Sequence, residues 1–197
     1  MTDVFPTWIG NLTTVEQYWL AGLLVMAALL VLSYLFRAPL HSWRENRQIT
    51  RAAKRLGAKM LRDVDLPDGL GGEISIDFLV LASDAILVIG VKRYDGLIFG
   101  SGQTDEWTQT LNSRSYKFPN PDTYLLRQIG AVRNILPKTQ VRGLHLFSDN
   151  AEFPWDKPSN VLQVKDLRNS SARRPRLKDI PAELRTAWAQ FTRSLNP

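Results

Sequence analysis

The chain has 197 residues, enough for one domain of ordinary size plus accessory segments. It has no cysteine, which excludes disulfides, thiolate catalysis and cysteine-ligated zinc or iron-sulfur sites. The formal net charge is +6, and the two histidines, His41 and His145, stand far apart, so a histidine metal cluster or a serine-histidine triad has little to work with and packing or surface roles are expected for both.

Residues 1–17 read as a short extracytoplasmic segment in which Phe5, Pro6 and Trp8 can lie at an interface. Tyr18 to Phe36, YWLAGLLVMAALLVLSYLF, carries no charge. As a helix it extends roughly 28 Å, close to the hydrocarbon thickness of a bilayer. Being apolar all round, it is expected to be a transmembrane helix rather than a core helix. It starts after an acidic segment and ends in Phe36-Arg37, unlike a cleaved signal peptide, so it reads as a retained anchor. All 25 basic residues follow residue 36, against 17 acidic ones. The positive-inside rule then places the N-terminus outside and the rest in the cytoplasm, as a single-pass protein of the cell membrane.

Pro39 is expected to bend the chain, and a basic juxtamembrane helix over 37–58 to end at Gly57. Its Arg44, Arg47 and Arg51 can bind anionic lipid head groups, at ~1 kcal/mol per basic residue near the surface. They can equally attract DNA or RNA by counterion release. Lipid is the preferred partner for Arg37 to Arg51, because it is adjacent. A strand near Met60 to Leu66 follows, with a turn at Leu66-Pro67-Asp68-Gly69.

Ile74 to Gly96, ISIDFLVLASDAILVIGVKRYDG, is the most informative stretch. Two apolar, β-branched segments flank Ser83-Asp84, so it reads as a hairpin buried on both faces. A two-residue turn pairs Ala82 with Ala85 and places Asp77 opposite Gly90, with Lys92 two residues beyond on the same face. Burying either charge alone costs several kcal/mol, roughly. One reading is a buried Asp-Lys pair, or a Lys92 that reaches water from the strand end. The other is a phosphodiesterase site, where an acid holds a divalent metal and a lysine orients water or neutralises phosphate.

Leu97 to Phe99 and the region of Trp107 read as short strands. Asn120-Pro121-Asp122 opens a helix to about Leu136, with Tyr124, Leu125, Ile129, Val132 and Leu136 approximating an apolar face. Val141 to Phe147 returns to strand. Lys165 to Lys178 reads as a flexible basic loop, and Arg173, Arg174 and Arg176 are its candidate nucleic-acid contacts, with a solvated loop as the alternative. A final helix from Pro181 to Leu195 carries a packing stripe of Leu184, Trp188, Phe191 and Leu195. This alternation implies an α/β or α+β domain.

IDFLVL, then ILVIGVKRYDGLIFG, then Trp107, then PNPDTYLLRQIGAVRNIL, together resemble the NERD domain, the nuclease-related domain of the PD-(D/E)XK superfamily, over roughly residues 45 to 165. The resemblance implies a restriction-endonuclease-like core, a central mixed sheet flanked by helices, with the domain proper at 59–165 and a basic loop and C-terminal helix at 166–197. It implies Asp77 as metal ligand and catalytic residue, Lys92 as the cationic catalytic residue, and Mg2+ or Mn2+ as cofactor if the site is active. The family's glutamate two residues before the lysine is Gly90 here. Its glutamine four residues after the asparagine is Tyr124, and Glu45 fits the family's helical glutamate poorly. Glu73 shares the strand parity of Asp77 but lies ~13 Å along the strand, too far to share an ion. Three expectations follow: a membrane-anchored, metal-dependent nuclease; a catalytically impaired module that binds nucleic acid or a protein partner at the cytoplasmic membrane face; or a membrane-associated scaffold.

Overall fold

A computed structural model of the chain describes residues 14–69, 71–155 and 157–195. It divides into two compact units, residues 1–45 and 46–197. Helix α1 runs over Thr14–Arg55 and includes Pro39, where a bend was expected. Of the expected outer segment, residues 1–13 lie outside the described residues. Among the described residues no helix is long and apolar enough to cross a membrane. The run Tyr18 to Phe36 falls only partly among them, because the side chains at 20, 33, 35 and 36 lie outside. Those described within it, including Leu23, Leu24, Leu29 and Leu30, are exposed.

The second unit is a mixed α+β fold. Strands β1 (Lys59–Pro67), β2 (Glu73–Leu81) and β3 (Ile86–Lys92) form an antiparallel meander. Strands β4 (Gly96–Phe99), β5 (Glu106–Leu111) and β6 (Arg114–Pro119) come next, then helix α2 (Pro121–Ile135). Strands β7 (Val141–Phe147), β8 (Ala151–Glu152) and β9 (Val161–Gln163) follow, then helices α3 (Val164–Asn169) and α4 (Ala182–Ser194). Two sheets form where one central mixed sheet was expected: β1-β2-β3-β7-β9 and β6-β5-β4-β8. The chain turns out of the first sheet after Lys92, through Gly96 in the left-handed region at φ 78°.

Strand alternation sorts the larger sheet's side chains into two cores. Leu79, Leu81, Ile86, Val88 and Val141 pack under α2 and α4, which contribute Leu125, Ile129, Val132, Leu184, Trp188 and Phe191. Phe78, Val80, Ile89 and Leu146 pack on the other face, against Ile49, Ala52 and Ala53 of α1 and Val164 and Leu167 of α3. Helix α2 lies against β7 at Gly143, where an added Cβ would stand 2.6 Å from Ile129 Cδ1 and 2.8 Å from Leu125 Cγ. That approach requires the missing side chain, and it sets the height of α2 over the sheet.

The start of α2 is fixed as firmly. Asn120 caps it by accepting the Asp122 N–H, and its amide donates to the Ser101 and Thr104 carbonyls. Trp107, fully buried, donates its indole N–H to the same Ser101 carbonyl at 3.0 Å. The tryptophan and the Asn-Pro step therefore hold one loop and one helix start in place, a structural role. The segment expected as a flexible basic loop instead begins with α3 and has a 3-10 turn over Leu177–Asp179.

Candidate functional site

The hairpin register is the one expected: Phe78 pairs with Ile89, Leu81 with Ile86, and Ala82 donates to Ala85 across the turn. The ladder stops at Phe78 and Ile89. In a regular continuation the Val91 N–H would meet the Ile76 carbonyl; here it donates to Oδ2 of Asp77 at 2.7 Å. The strands part at this point, and the core-facing positions of β2 change from Leu79 and Leu81 to Ile74 and Ile76. On β1, Asp63 stands opposite Asp77 outside the ladder, with φ 50°.

Gly90 is paired with His145 on β7, and alternation from Val88 and Val141 turns both, with Lys92, toward the α2 face of the sheet. Asp77 lies at the break in β2, with its Oδ2 on the Val91 N–H. Asp77 and Lys92 are half-buried and electrostatically coupled. Burial holds the Lys92 ammonium below its ordinary range, and the Asp77 carboxylate opposes that shift. Lys92 makes no ion pair within 4.0 Å among the described residues, so the buried Asp-Lys contact that the sequence allowed is not formed.

The helix above adds Gln128, which sequence reasoning passed over, and Tyr124, which it placed on the apolar face. Gln128 donates its amide to the Ser75 carbonyl at 2.6 Å. Tyr124, one turn earlier, directs its hydroxyl at the same carbonyl at 3.4 Å. The glutamine missing at Tyr124 thus stands one helical turn later, and the i, i+4 spacing was the signal that could have found it. His145, expected at the surface or in packing, is buried and polar, with Nε2 2.8 Å from Oδ1 of Asp122. The same oxygen accepts from Asn160 at 2.7 Å.

These partners fix which atoms face the gap. A carboxylate only accepts, so His145 donates from Nε2, and its other nitrogen, with the ring neutral, carries a lone pair. Burial pushes the imidazole below its ordinary range against the pull of Asp122, which keeps the ring neutral. His145 Nδ1 has no hydrogen-bond partner, the one such fully buried side-chain atom among the described residues. By the same logic Gln128, donating to Ser75, leaves Oε1 free. A Cβ placed on Gly90 would stand 3.5 Å from His145 Nδ1 and 3.9 Å from Gln128 Oε1.

The carboxylate pair that a magnesium site of this kind needs is absent. Asp77 is the only acid in the row, and among the described residues no three histidine, aspartate or glutamate side chains converge to hold a metal. The residues do not fit a two-carboxylate magnesium site.

The predicted contact residues do not gather here. Arg44, Arg47 and Arg51 are exposed on α1. Arg51 lines a cleft of about 310 Å³ with Gln48, Arg55 and Arg168, floored by Ala52 and Val164 of the opposite sheet face. Arg173 and Arg176 are exposed. Arg174 is taken up by the fold: its guanidinium donates to the Gly57 and Ala58 carbonyls at 2.9 and 3.0 Å, near the turn end of the hairpin.

Because the folded His145 binds a proton less readily than the unfolded chain, its contribution to stability is present above the unfolded imidazole pKa of about 6.5 and is lost as pH falls below it. The melting temperature of the full chain is expected to drop between about pH 7 and about pH 5.5, with a shallower drop in His145→Gln. A ring titration of His145 with a midpoint above that of a free histidine would contradict this.

A scan of family models matches the nuclease-related domain, NERD, to residues 41–148. Among curated proteins the chain is similar to an uncharacterized protein of Bacillus anthracis, 26% identical over 116 residues, which cover 56% of this chain and 55% of that protein. The chain thus spans about half the length of the relative it matches. The family match covers more than half of the sequence and contains β2, β3, Trp107 and the Asn120-Pro121 step, so the chain belongs to the NERD, nuclease-related domain, family.

Proposed function

We propose that this protein is a membrane-anchored nuclease-related module that binds nucleic-acid phosphodiesters at Lys92 and has lost, at Gly90, the magnesium-dependent cleavage in which Asp77 would hold the metal. The observation that carries the reading is a half-buried lysine with no ion pair among the described residues, coupled to a single carboxylate where β2 and β3 part. An unpaired ammonium in such a place favours an anionic ligand. Gly90 removes the second carboxylate, and with it the transition-state charge stabilisation that a bound magnesium supplies.

The uncharged run Tyr18 to Phe36, the exposed apolar side chains along it and the excess of basic residues after it support an anchor with the N-terminus outside. Lipid is the partner of the basic segment that begins at Arg37, and DNA or RNA the partner of the domain.

Nucleic-acid affinity of the full chain in mild detergent, measured without divalent metal over a range of salt, tests the binding reading. Lys92→Ala is expected to weaken binding and to lower the log-log salt slope by about one; an unchanged slope and affinity would remove Lys92 from the interface. The orientation is tested in intact cells with a membrane-impermeant reagent, which should label an N-terminal tag and spare a C-terminal one. Labelling of the C-terminal tag would reverse it.

A further inference from the structure

The gap beside Gly90 is lined by atoms that only accept. His145 Nδ1 and Gln128 Oε1 face the place where a Cβ at residue 90 would stand, and the Asp77 carboxylate sits over the adjoining Val91 N–H. Each is held by a partner on its far side: Asp122 holds the imidazole, Ser75 the amide and Val91 the carboxylate. An unpaired nitrogen on a fully buried side chain carries a free-energy cost that native structures seldom leave standing. Lys92, which shares the face, donates to neither acceptor among the described residues.

We infer that the gap at Gly90 is a site for a divalent metal of the imidazole-binding class, such as cobalt or zinc, held by His145 Nδ1, Gln128 Oε1 and the Asp77 carboxylate in place of a two-carboxylate magnesium site. This rests on the reading of Asp77 and Lys92 as a nuclease-derived site and names the cation that site takes. Imidazole suits zinc, cobalt and their neighbours, whereas magnesium prefers oxygen ligands and several waters. The Asp122-His145 contact is the carboxylate-histidine arrangement that orients a metal-binding ring and raises its basicity. The substitution that removed the family's glutamate also opened the space through which the imidazole of the next strand can reach an ion.

The test uses untagged full chain in mild detergent, free of nucleic acid, titrated with Co2+, Zn2+ or Mg2+ alone. Calorimetry should give one Co2+ or Zn2+ per chain, bound at least about tenfold more tightly than Mg2+. With 15N-labelled histidine, Zn2+ should move the ring resonances of His145 and leave those of His41 in place. Gly90→Ala, whose methyl fills the space beside Nδ1 at ordinary contact distance, should weaken Co2+ binding about tenfold. His145→Phe should abolish it, with circular dichroism confirming the fold; if that variant does not fold, Gly90→Ala and the ring resonances decide. Co2+ and Mg2+ bound alike, Zn2+ that leaves the His145 ring unmoved, or Gly90→Ala binding like wild type would each overturn the inference. Because no nucleic acid is present, failure here is distinct from failure of the phosphodiester-binding reading.

Discussion

The structure of the candidate site depends on where β2 and β3 stop pairing. At Asp77 the carboxylate takes the Val91 N–H that a backbone carbonyl would otherwise receive, and the hairpin opens by one side chain's width. A buried N–H must find an acceptor, so the break is stable only because Asp77 supplies one. Beside the opening, Gln128 reaches down from α2 to donate to the Ser75 carbonyl. Helix α2 can do this because Gly143 lets it lie close to β7 and Asn120 fixes its first turn. One carboxylate, one glycine on the neighbouring strand and one helix cap thus set the position of every polar group in the site.

The electrostatics follow from that geometry. Gly90 leaves the row with one carboxylate, a partly desolvated lysine and an imidazole held neutral by burial. Such a set favours an anion at Lys92 and a cation at the lone pairs around Gly90, side by side. A nuclease-derived site can therefore keep a taste for phosphate after losing the ligand that made magnesium effective.

The hairpin register was legible in the sequence because a two-residue turn leaves one pairing, and the strands keep that pairing from Ala82 and Ala85 out to Phe78 and Ile89. The resemblance to the nuclease-related family was legible for the same reason: residue types, spacing and order agreed from Asp77 to Asn120. His145 is buried, within the packing role expected of it, but its partner Asp122 and its place beside Gly90 were not legible because they are tertiary. It lies on β7, parallel to β3, and parallel pairing across an intervening helix leaves no local spacing to read. The second sheet was missed because β4 and β8 are four and two residues long, too short for alternation to show a separate sheet. Arg174 looked like a free cation because nothing local shows that a guanidinium will bond carbonyls more than a hundred residues earlier.

The most direct measurement is magnesium-dependent cleavage of DNA and RNA by the full chain, comparing wild type with Gly90→Glu. An added Cβ at residue 90 meets nothing closer than 3.5 Å, so the backbone there admits a side chain. The account predicts no cleavage by wild type and cleavage by Gly90→Glu that is lost again when Asp77→Ala or Lys92→Ala is added. Cleavage by wild type with magnesium, abolished by Asp77→Ala or Lys92→Ala, would contradict it and make the protein a working nuclease.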